Sequence, residues 1–361
     1  MKLAYLLCLG LAASLGNPSV LAQPALPAPD MVRMDRLQLM QGFPPEADRQ
    51  VTRASYLTRY PQARWAFQHM RELIPSRNVP RGNGPPSVLA QGEDLRAEID
   101  ALRFHGPDGE LGFAQYLNDT YADATLILLD GQLIYEAYAP GMQAQQPHML
   151  WSLSKSVVGL LAGQLLHEGV LDGEALVSDY LPELAESGWK GATVQQVLNM
   201  TAAVDYRETF DGPQSDLFKY AVAAGILPAP PGFQGAASLY EYLPTIGEQG
   251  RHGVEFHYRT AHTEVLGWLM RRATGQSSAE LIAERLWGKL GAEQDAYLMV
   301  DAAGAEWAGA GLNVSPRDLA RLAELLRLDG AFNGQQIIAP EVLATIRTGG
   351  DREAFKAGGR T

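Results

Sequence analysis

One segment constrains the fold more than any other: the apolar run from Ser152 to Glu168, within WSLSKSVVGLLAGQLLHEG. Val, Leu, Ala and Gly occur on almost every side of a helix drawn through it, and a helix that is apolar all round is buried on most sides. Gly169 follows as the predicted C-cap. The chain must therefore supply layers of structure around this helix. With 361 residues, of which 46% are hydrophobic and 19% charged, it can form one large domain or two modest ones.

A β-hairpin is predicted before this helix, in DATLILLDGQLIYEAYA, where Asp130-Gly131 separates two β-rich runs. The first run is continuously apolar, which favours a central strand. Helical patterns dominate after the helix. They are TVQQVLNMT, TEVLGWLMRRATG ended by Gly275, SAELIAERLWGKLG ended by Gly291, and SPRDLARLAELLRLDG with Ser315 as N-cap. This order predicts an α+β fold, an antiparallel sheet flanked by helices with a mostly helical subdomain at about 172–310.

The N-terminus is typical of a secretory signal peptide over residues 1–22: Lys2, the apolar stretch LAYLLCLGLAASLG, and a small-residue site that predicts cleavage after Ala22. We therefore expect a periplasmic or secreted protein. The apolar stretch is shorter than the roughly 20 residues of a spanning helix, so no membrane span is expected. Cys8 lies inside this peptide and is the only cysteine, so a mature chain would have no disulfide or thiolate ligand. Residues 23–120 are mixed and predict an irregular arm that wraps the main body.

Charge and motif content exclude several classes of function. The formal net charge of -12 disfavours nucleic acid or an anionic membrane as the main partner, because like charges repel. His257 and His262 would point to different helix faces, which argues against a zinc pair. Neither Gly-x-Gly-x-x-Gly nor a P-loop occurs, and we expect no metal or cofactor. Oligomeric state is left open.

Ser-x-x-Lys occurs twice, at Ser152/Lys155 and at Ser187/Lys190. The second pair lies in a Gly-bearing segment that predicts a surface turn. The first opens the buried helix, where residues three apart share a face and the helix N-terminus favours developing negative charge. An uncharged lysine there could accept the proton of a nucleophilic serine. The competing interpretation is that Ser152 or Ser154 caps the helix and Lys155 extends to water.

Tyr258 lies just before another predicted helix, whose N-cap is expected at Thr260. A phenol held above a helix start and near a lysine can work as a general acid or base. Equally, a tyrosine at a loop edge can simply pack. The acidic stretch DYRETFDGPQSD predicts a solvated loop, or a surface that attracts a cationic group of a substrate if it lies near the site.

The order of these features resembles the serine β-lactamase and penicillin-binding protein superfamily over about residues 120–345. Within it the chain is most similar to class C-like hydrolases, above all the 6-aminohexanoate-dimer hydrolase (esterase) group. The motifs that carry the resemblance are the hairpin, SLSK, VLNMTAAVDY, Tyr258-x-Thr260 before LGWLMRRATGQS, and GAGLNVSPRDLARLAELL. It implies a β-lactamase/transpeptidase-like hydrolase domain over 121–361 that cleaves an amide or ester bond of a small molecule. By the same resemblance Ser152 is the acylated nucleophile, Lys155 its activator and Tyr258 the acid/base.

Two departures from the family pattern leave alternatives open. The usual Tyr-x-Asn is here Tyr258-Arg259-Thr260, which bears on β-lactam recognition, and the literal Tyr116-Leu117-Asn118 precedes the nucleophile and is interpreted as structural. The third motif, Lys-Thr-Gly or His-x-Gly on a strand, is matched only loosely by Lys356-Ala357-Gly358, so we expect that strand beyond the given C-terminus. The alternatives are a β-lactamase or D-alanyl-D-alanine peptidase, and a non-catalytic binding protein on a penicillin-binding fold.

Overall fold

Helices pack against a four-stranded and a three-stranded sheet in a computed structural model that describes residues 27–57, 59–106 and 109–359. The predicted signal peptide, residues 1–22, lies outside the described residues. None of the helices in the described ranges has the length and apolar character that crossing a bilayer requires. The strands are β1 Ser76–Val79, β2 Ala90–Gln91, β3 Arg103–Gly106, β4 Gly109–Gly112, β5 Ala124–Leu129, β6 Gln132–Tyr138, β7 His148–Met149, β8 Ala296–Met299, β9 Leu312–Val314, β10 Ala331–Phe332 and β11 Gln335–Gln336.

The helices carry most of the core. They are α1 Met34–Leu37, α2 Gln62–Gln68, α3 Met70–Leu73, α4 Arg96–Asp100, α5 Phe113–Asp119, α6 Leu153–His167, α7 Val177–Tyr180, α8 Val194–Leu198, α9 Asp216–Ala223, α10 Leu239–Tyr242, α11 Thr260–Thr274, α12 Ser278–Ile282, α13 Gly288–Leu290, α14 Pro316–Arg327, α15 Pro340–Thr348 and α16 Arg352–Ala357. The predicted ends are confirmed: Gly275 and Gly291 adopt left-handed φ values of 74° and 67°, and the Ser315 hydroxyl accepts the Asp318 N–H.

The four-stranded sheet has the order β1-β8-β9-β7 and is antiparallel throughout. Strand β7 lies just before α6, so the sheet positions the start of that helix. The three-stranded sheet has the order β2-β6-β5, with β2 and β6 parallel. The α+β class with an antiparallel sheet flanked by helices is confirmed.

The hairpin β5–β6 is confirmed, with its turn at Asp130-Gly131. Both turn residues have positive φ, 50° and 81°, as the tight turn between twisted strands requires. The prediction that β5 is a central strand is wrong, because among the described residues it pairs with β6 alone and forms the sheet edge. Helix α14 packs against it, and this packing accounts for its apolar run.

Helix α6 is surrounded as predicted. It contacts α11, α12 and α15, so neighbouring helices cover several of its sides. Val157, Leu161 and Leu165 are among its buried residues. Burial of such side chains contributes about 1.5–3 kcal/mol each, so this helix is a main source of stability.

Segments before residue 120 join both the sheets and the core. Strand β1 pairs with β8, and β2 pairs with β6. Tyr56, Met70 and Val79 are fully buried, and the Tyr56 hydroxyl donates to the Ile226 carbonyl at 2.6 Å. The division into an arm and a hydrolase domain at residue 120 stays a prediction.

The second Ser-x-x-Lys pair lies in a turn, but the expected surface turn is wrong. Ser187 and Trp189 are buried, and the Trp189 indole N–H donates to Nδ1 of His262 on α11 at 3.2 Å. The Ser187 hydroxyl donates to the Leu184 carbonyl, whereas the exposed Lys190 pairs with Glu186. This serine and lysine therefore have separate partners.

Candidate active site

Ser152 and Lys155 form a close pair at the start of α6. Ser152 is exposed and Lys155 is buried, and the Lys155 Nζ lies 3.2 Å from the Ser152 Oγ. The Ser152 side chain makes no capping hydrogen bond, and the Ser154 hydroxyl instead accepts the Leu312 N–H at 3.0 Å. The capping interpretation is therefore wrong, and Lys155 points to the serine instead of to water.

Strand β9 fixes the backbone around the pair. The Leu150 N–H donates to the Leu312 carbonyl at 2.9 Å, and the Leu312 N–H donates to Ser154, so β9 is bonded on both sides of Ser152. Trp151 adopts a φ of 49°, which is rare for a bulky residue, and its ring meets Phe67 edge-on at 5.8 Å. Strained backbone of this kind is common beside reactive residues, where the surrounding structure enforces it.

Tyr258 completes the cluster. Its ring centroid lies 5.1 Å from the Lys155 Nζ, within the range of a cation–π contact. A second bond holds the amine, which donates to the Gly309 carbonyl at 2.7 Å. The structure thus brings together the three side chains predicted from sequence, Ser152, Lys155 and Tyr258. Their chemical roles stay predictions.

The loop that carries Tyr258 is held on both sides. The His257 N–H donates to the Met200 carbonyl at 3.0 Å, and the Phe256 N–H donates to the Ala354 carbonyl at 2.8 Å. Arg259 follows and is buried, with its guanidinium donating to the Tyr206 carbonyl at 2.8 Å. The phenol is therefore mounted on a backbone with little freedom to move.

The predicted N-cap of α11 is wrong by one residue. Arg259 occupies the cap position and Thr260 is already helical. The Glu208 carboxylate performs the capping, since it accepts the Thr260 N–H at 2.9 Å and also the Thr260 hydroxyl. Thr260, at the position of the family's Asn, therefore has its side chain committed to Glu208.

The acidic stretch is likewise only partly the solvated loop that was predicted. Tyr206 is buried and Glu208 is bonded to α11, and Asp216 accepts the Arg207 N–H. Glu208 meets the helix two residues after Tyr258. The segment therefore has a structural role beside the site, because its Glu208 carboxylate is bonded to the protein itself.

Glu264 was missed in the sequence and is the most unusual group near the cluster. It is buried on α11, and burial raises the pKa of its carboxyl to about 7, against the hydrogen bonds from Tyr220 and the Gly309 N–H and the charge of Lys155. The signal was present in TEVLGWLM, where a glutamate interrupts an apolar helix face. A buried carboxylate is almost always paired, so a glutamate on an apolar helix face predicts a hydrogen-bonding partner elsewhere in the fold.

Two weaker motif matches are not part of the cluster. Tyr116 and Asn118 lie on α5, where the Tyr116 ring meets Phe104, and this agrees with the structural interpretation. Lys356 lies on helix α16, exposed and paired with Glu353 at 3.0 Å, so Lys356-Ala357-Gly358 is not the third motif on a strand. That motif stays a prediction.

A metal-binding cluster is not found in the described ranges, and one large apolar groove lies apart from the serine–lysine–tyrosine cluster. No group of His, Cys, Asp and Glu in the described ranges is arranged to hold a metal ion. An apolar groove of about 890 Å³ runs along α6, α14 and α15, beginning at Leu153. None of the three predicted site residues lines it, so it is separate from the serine–lysine–tyrosine cluster.

Comparison with known proteins agrees with this geometry. The profile of the family described as Beta-lactamase matches residues 113–360. The chain belongs to the beta-lactamase family. The curated "6-aminohexanoate-dimer hydrolase" of Paenarthrobacter ureafaciens is 35% identical over 301 residues, which cover 83% of this chain and 74% of that protein. As a beta-lactamase-family member with this hydrolase relative, the protein is a serine hydrolase.

A solved structure of the same kind confirms the fold of this beta-lactamase-family chain. It is described as "Putative 6-aminohexanoate-dimer hydrolase from Bacillus anthracis", is 30% identical and superposes with a TM-score of 0.76. The match covers 81% of this chain and 76% of that one. The β-lactamase/transpeptidase-like fold expected from the sequence resemblance is therefore confirmed.

Proposed function

We propose that the protein is an exported hydrolase that cleaves an amide or ester bond of a small molecule through an acyl-enzyme on Ser152, in the manner of 6-aminohexanoate-dimer hydrolases. The observation that carries the proposal is the pairing of an exposed serine hydroxyl with a buried lysine amine at 3.2 Å, beside the Tyr258 ring. The hydrolase relative, 35% identical, supports the substrate class.

The residues divide the reaction between them. The Ser152 Oγ attacks the substrate carbonyl carbon while Lys155, in its uncharged form, takes the hydroxyl proton. Collapse of the tetrahedral intermediate breaks the amide or ester bond, and the Tyr258 phenol supplies a proton to the leaving nitrogen or oxygen. Water then attacks the acyl ester and gives a proton to the Tyr258 phenolate, and the departing serine oxygen takes back the proton held by Lys155, so that all three groups are restored. The N-terminus of α6 stabilises the negative oxygen formed in both steps.

Covalent labelling tests the nucleophile. A fluorophosphonate should add once to the wild type, seen by intact-mass spectrometry, and Ser152→Ala should abolish the adduct. Ser187→Ala is the matched control because it removes the serine of the second Ser-x-x-Lys pair, and it should label as the wild type does. An adduct that survives in Ser152→Ala overturns the assignment.

A β-lactamase or D-alanyl-D-alanine peptidase is the nearer alternative. Thr260 disfavours it, since its hydroxyl is bonded to Glu208 and is not free for a substrate amide. We therefore expect hydrolysis of a short-chain p-nitrophenyl ester with little or no hydrolysis of nitrocefin. Efficient hydrolysis of nitrocefin would contradict this prediction and favour the β-lactamase.

A non-catalytic binding protein is the alternative from another class. It predicts ligand-dependent stabilisation without turnover. Hydrolysis of the p-nitrophenyl ester by wild type, with loss of turnover in Tyr258→Phe, excludes it. A wild type that is stabilised by the ester and never releases p-nitrophenol supports the binding protein instead.

Export rests on residues 1–22 and is part of the proposal. Expression of the full chain in a Gram-negative host should yield a periplasmic protein whose N-terminus is Gln23, as read by N-terminal sequencing. Protein that stays in the cytoplasm with residues 1–22 attached contradicts export and leaves the hydrolase proposal intact.

A further inference from the structure

We propose that Glu264 is a positioning residue that holds the Lys155 amine against Ser152 through the loop at Ala308-Gly309. This inference rests on the proposed function, because it assigns Glu264 to the same serine–lysine pair. Glu264 touches neither Ser152 nor a reacting atom, and it acts through the backbone of another segment.

The first link joins the carboxylate to the loop. Glu264 Oε2 accepts the Ala308 N–H at 2.9 Å, and Oε1 accepts the Gly309 N–H at 3.0 Å. The Tyr220 hydroxyl donates to Oε1 at 2.7 Å and orients the carboxylate from α9. Bonds from N–H groups to a carboxylate are stronger than those between neutral groups, so two adjacent amides are held firmly.

The second link joins the loop to the lysine. The Gly309 carbonyl accepts the Lys155 Nζ at 2.7 Å, and the same Nζ lies 3.2 Å from the Ser152 Oγ. The N–H and the carbonyl of one residue, Gly309, thus face Glu264 and Lys155. Movement of this residue would carry the carbonyl, and with it the amine, away from the serine.

The identity of residue 309 fits this arrangement. A Cβ added at Gly309 would lie 2.9 Å from Glu264 Oε1 and 2.7 Å from Thr260 Cγ2. Both distances are too short for real contacts, so a side chain at this position would push the loop off the carboxylate. Glycine permits the close approach on which the first link depends.

The burial of the Glu264 carboxylate has an energetic cost. Glu264 is 4% exposed, and a carboxylate so far from water is costly unless donors surround it. Three donors and the nearby Lys155 supply that environment, and burial still raises the pKa of Glu264 to about 7. A leucine or methionine would fill the space without that cost, so a role in holding the loop explains the glutamate.

Glu264→Gln tests the proposal in the full-length protein. The amide keeps the shape, but its NH₂ group cannot accept a backbone N–H, so one of the two loop bonds is lost. We expect the maximal rate of Ser152 fluorophosphonylation to fall about tenfold or more, with the reagent concentration for half-maximal rate unchanged. We also expect Lys155, freed from Gly309, to undergo reductive methylation severalfold faster, as measured by peptide mass spectrometry.

Asp318→Asn is the matched control. Asp318 is a fully buried carboxylate that also accepts two backbone N–H groups, those of Glu293 and Gln294, at 2.7 and 3.0 Å. It should lower the unfolding temperature while leaving Ser152 labelling and Lys155 methylation as in wild type. Tyr220→Phe removes only the phenol donor and is the milder variant if Glu264→Gln does not fold; it should shift both rates in the same direction.

The proposal is overturned if Ser152 labelling and Lys155 methylation in Glu264→Gln proceed at the wild-type rates. If Glu264→Gln does not fold, the same result in Tyr220→Phe overturns it. Equal losses in Asp318→Asn also overturn it, since the effect would then be general destabilisation. A wild type that does not label at Ser152 refutes the proposed function instead. Lys155 methylation still decides the role of Glu264 in that case, because it does not depend on catalysis.

Discussion

Glu264 should make the stability of the fold depend on pH in one direction. Burial raises its folded-state pKa to about 7 from the ordinary 4.5, so the folded protein binds this proton more tightly than the unfolded chain. The stabilisation from the neutral form is therefore fully present below pH 4.5. It is lost as the pH rises through 7, where the folded state must carry a buried charge.

The size of the effect follows from those two values. A pKa of about 7 against 4.5 corresponds to roughly 3 kcal/mol, at about 1.4 kcal/mol per pH unit. Glu264 is 4% exposed, so solvent screening does not reduce this figure. A change of that size is a large fraction of the 5–15 kcal/mol that typical domains have in total.

Urea unfolding at a series of pH values from 4 to 8 measures the loss, with fluorescence of Trp268 on the same helix among the reporters. Glu264→Gln cannot ionise, so the wild type should lose roughly 3 kcal/mol relative to it between pH 4.5 and 7. Tyr220→Phe removes the strongest hydrogen bond that favours the charged form, and should move the loss to higher pH. A difference between wild type and Glu264→Gln that stays constant across this range refutes the reasoning.

Three further predictions concern the site and the core. Lys155→Met should slow Ser152 labelling by about 10²–10⁴, the usual loss on removing a general base, as followed by intact-mass spectrometry. Gly309→Ala should destabilise by about 1–3 kcal/mol in urea because its Cβ meets Glu264 and Thr260, whereas Gly84→Ala, with open space around it, should change little. Leu161→Ala, at a fully buried position of α6, should cost about 2–5 kcal/mol, and Leu153→Ala, 38% exposed on the same helix, distinctly less in the same urea assay.

Features set by neighbours along the chain could be predicted from the sequence. The Asp130-Gly131 turn needs only two residues with positive φ, and the Ser152–Lys155 pair needs only the pitch of a helix. Tyr258 is 103 residues beyond Lys155 in the chain, and no local rule joins them. Its place came from the order of motifs that the beta-lactamase family shares, which is information about a whole fold.

Features set by distant partners were missed or placed wrongly. The Gly309 carbonyl accepts a hydrogen bond from Lys155, which lies 154 positions away in the chain. Glu208 caps α11 from 52 positions away, and the helix therefore has Arg259 and not the predicted Thr260 at its cap position. An apolar run indicates that a strand is buried but does not identify the element that buries it. The sequence therefore predicted β5 at the centre of the sheet, whereas helix α14 covers it. Long-range packing, not local propensity, decides these positions.

The edge position of β5 has a consequence for how the protein behaves in concentrated solution. Its six residues, ATLILL, contain no charge and no proline, and among the described residues their hydrogen-bonding partner is β6 on one side. Uncharged edges of this composition are templates onto which strands of other molecules add, and charged side chains such as lysine are one means by which natural proteins protect them. Light scattering of the 361-residue chain at rising concentration should therefore show self-association through β5. Thr125→Lys should suppress it by placing a charge on the joining edge.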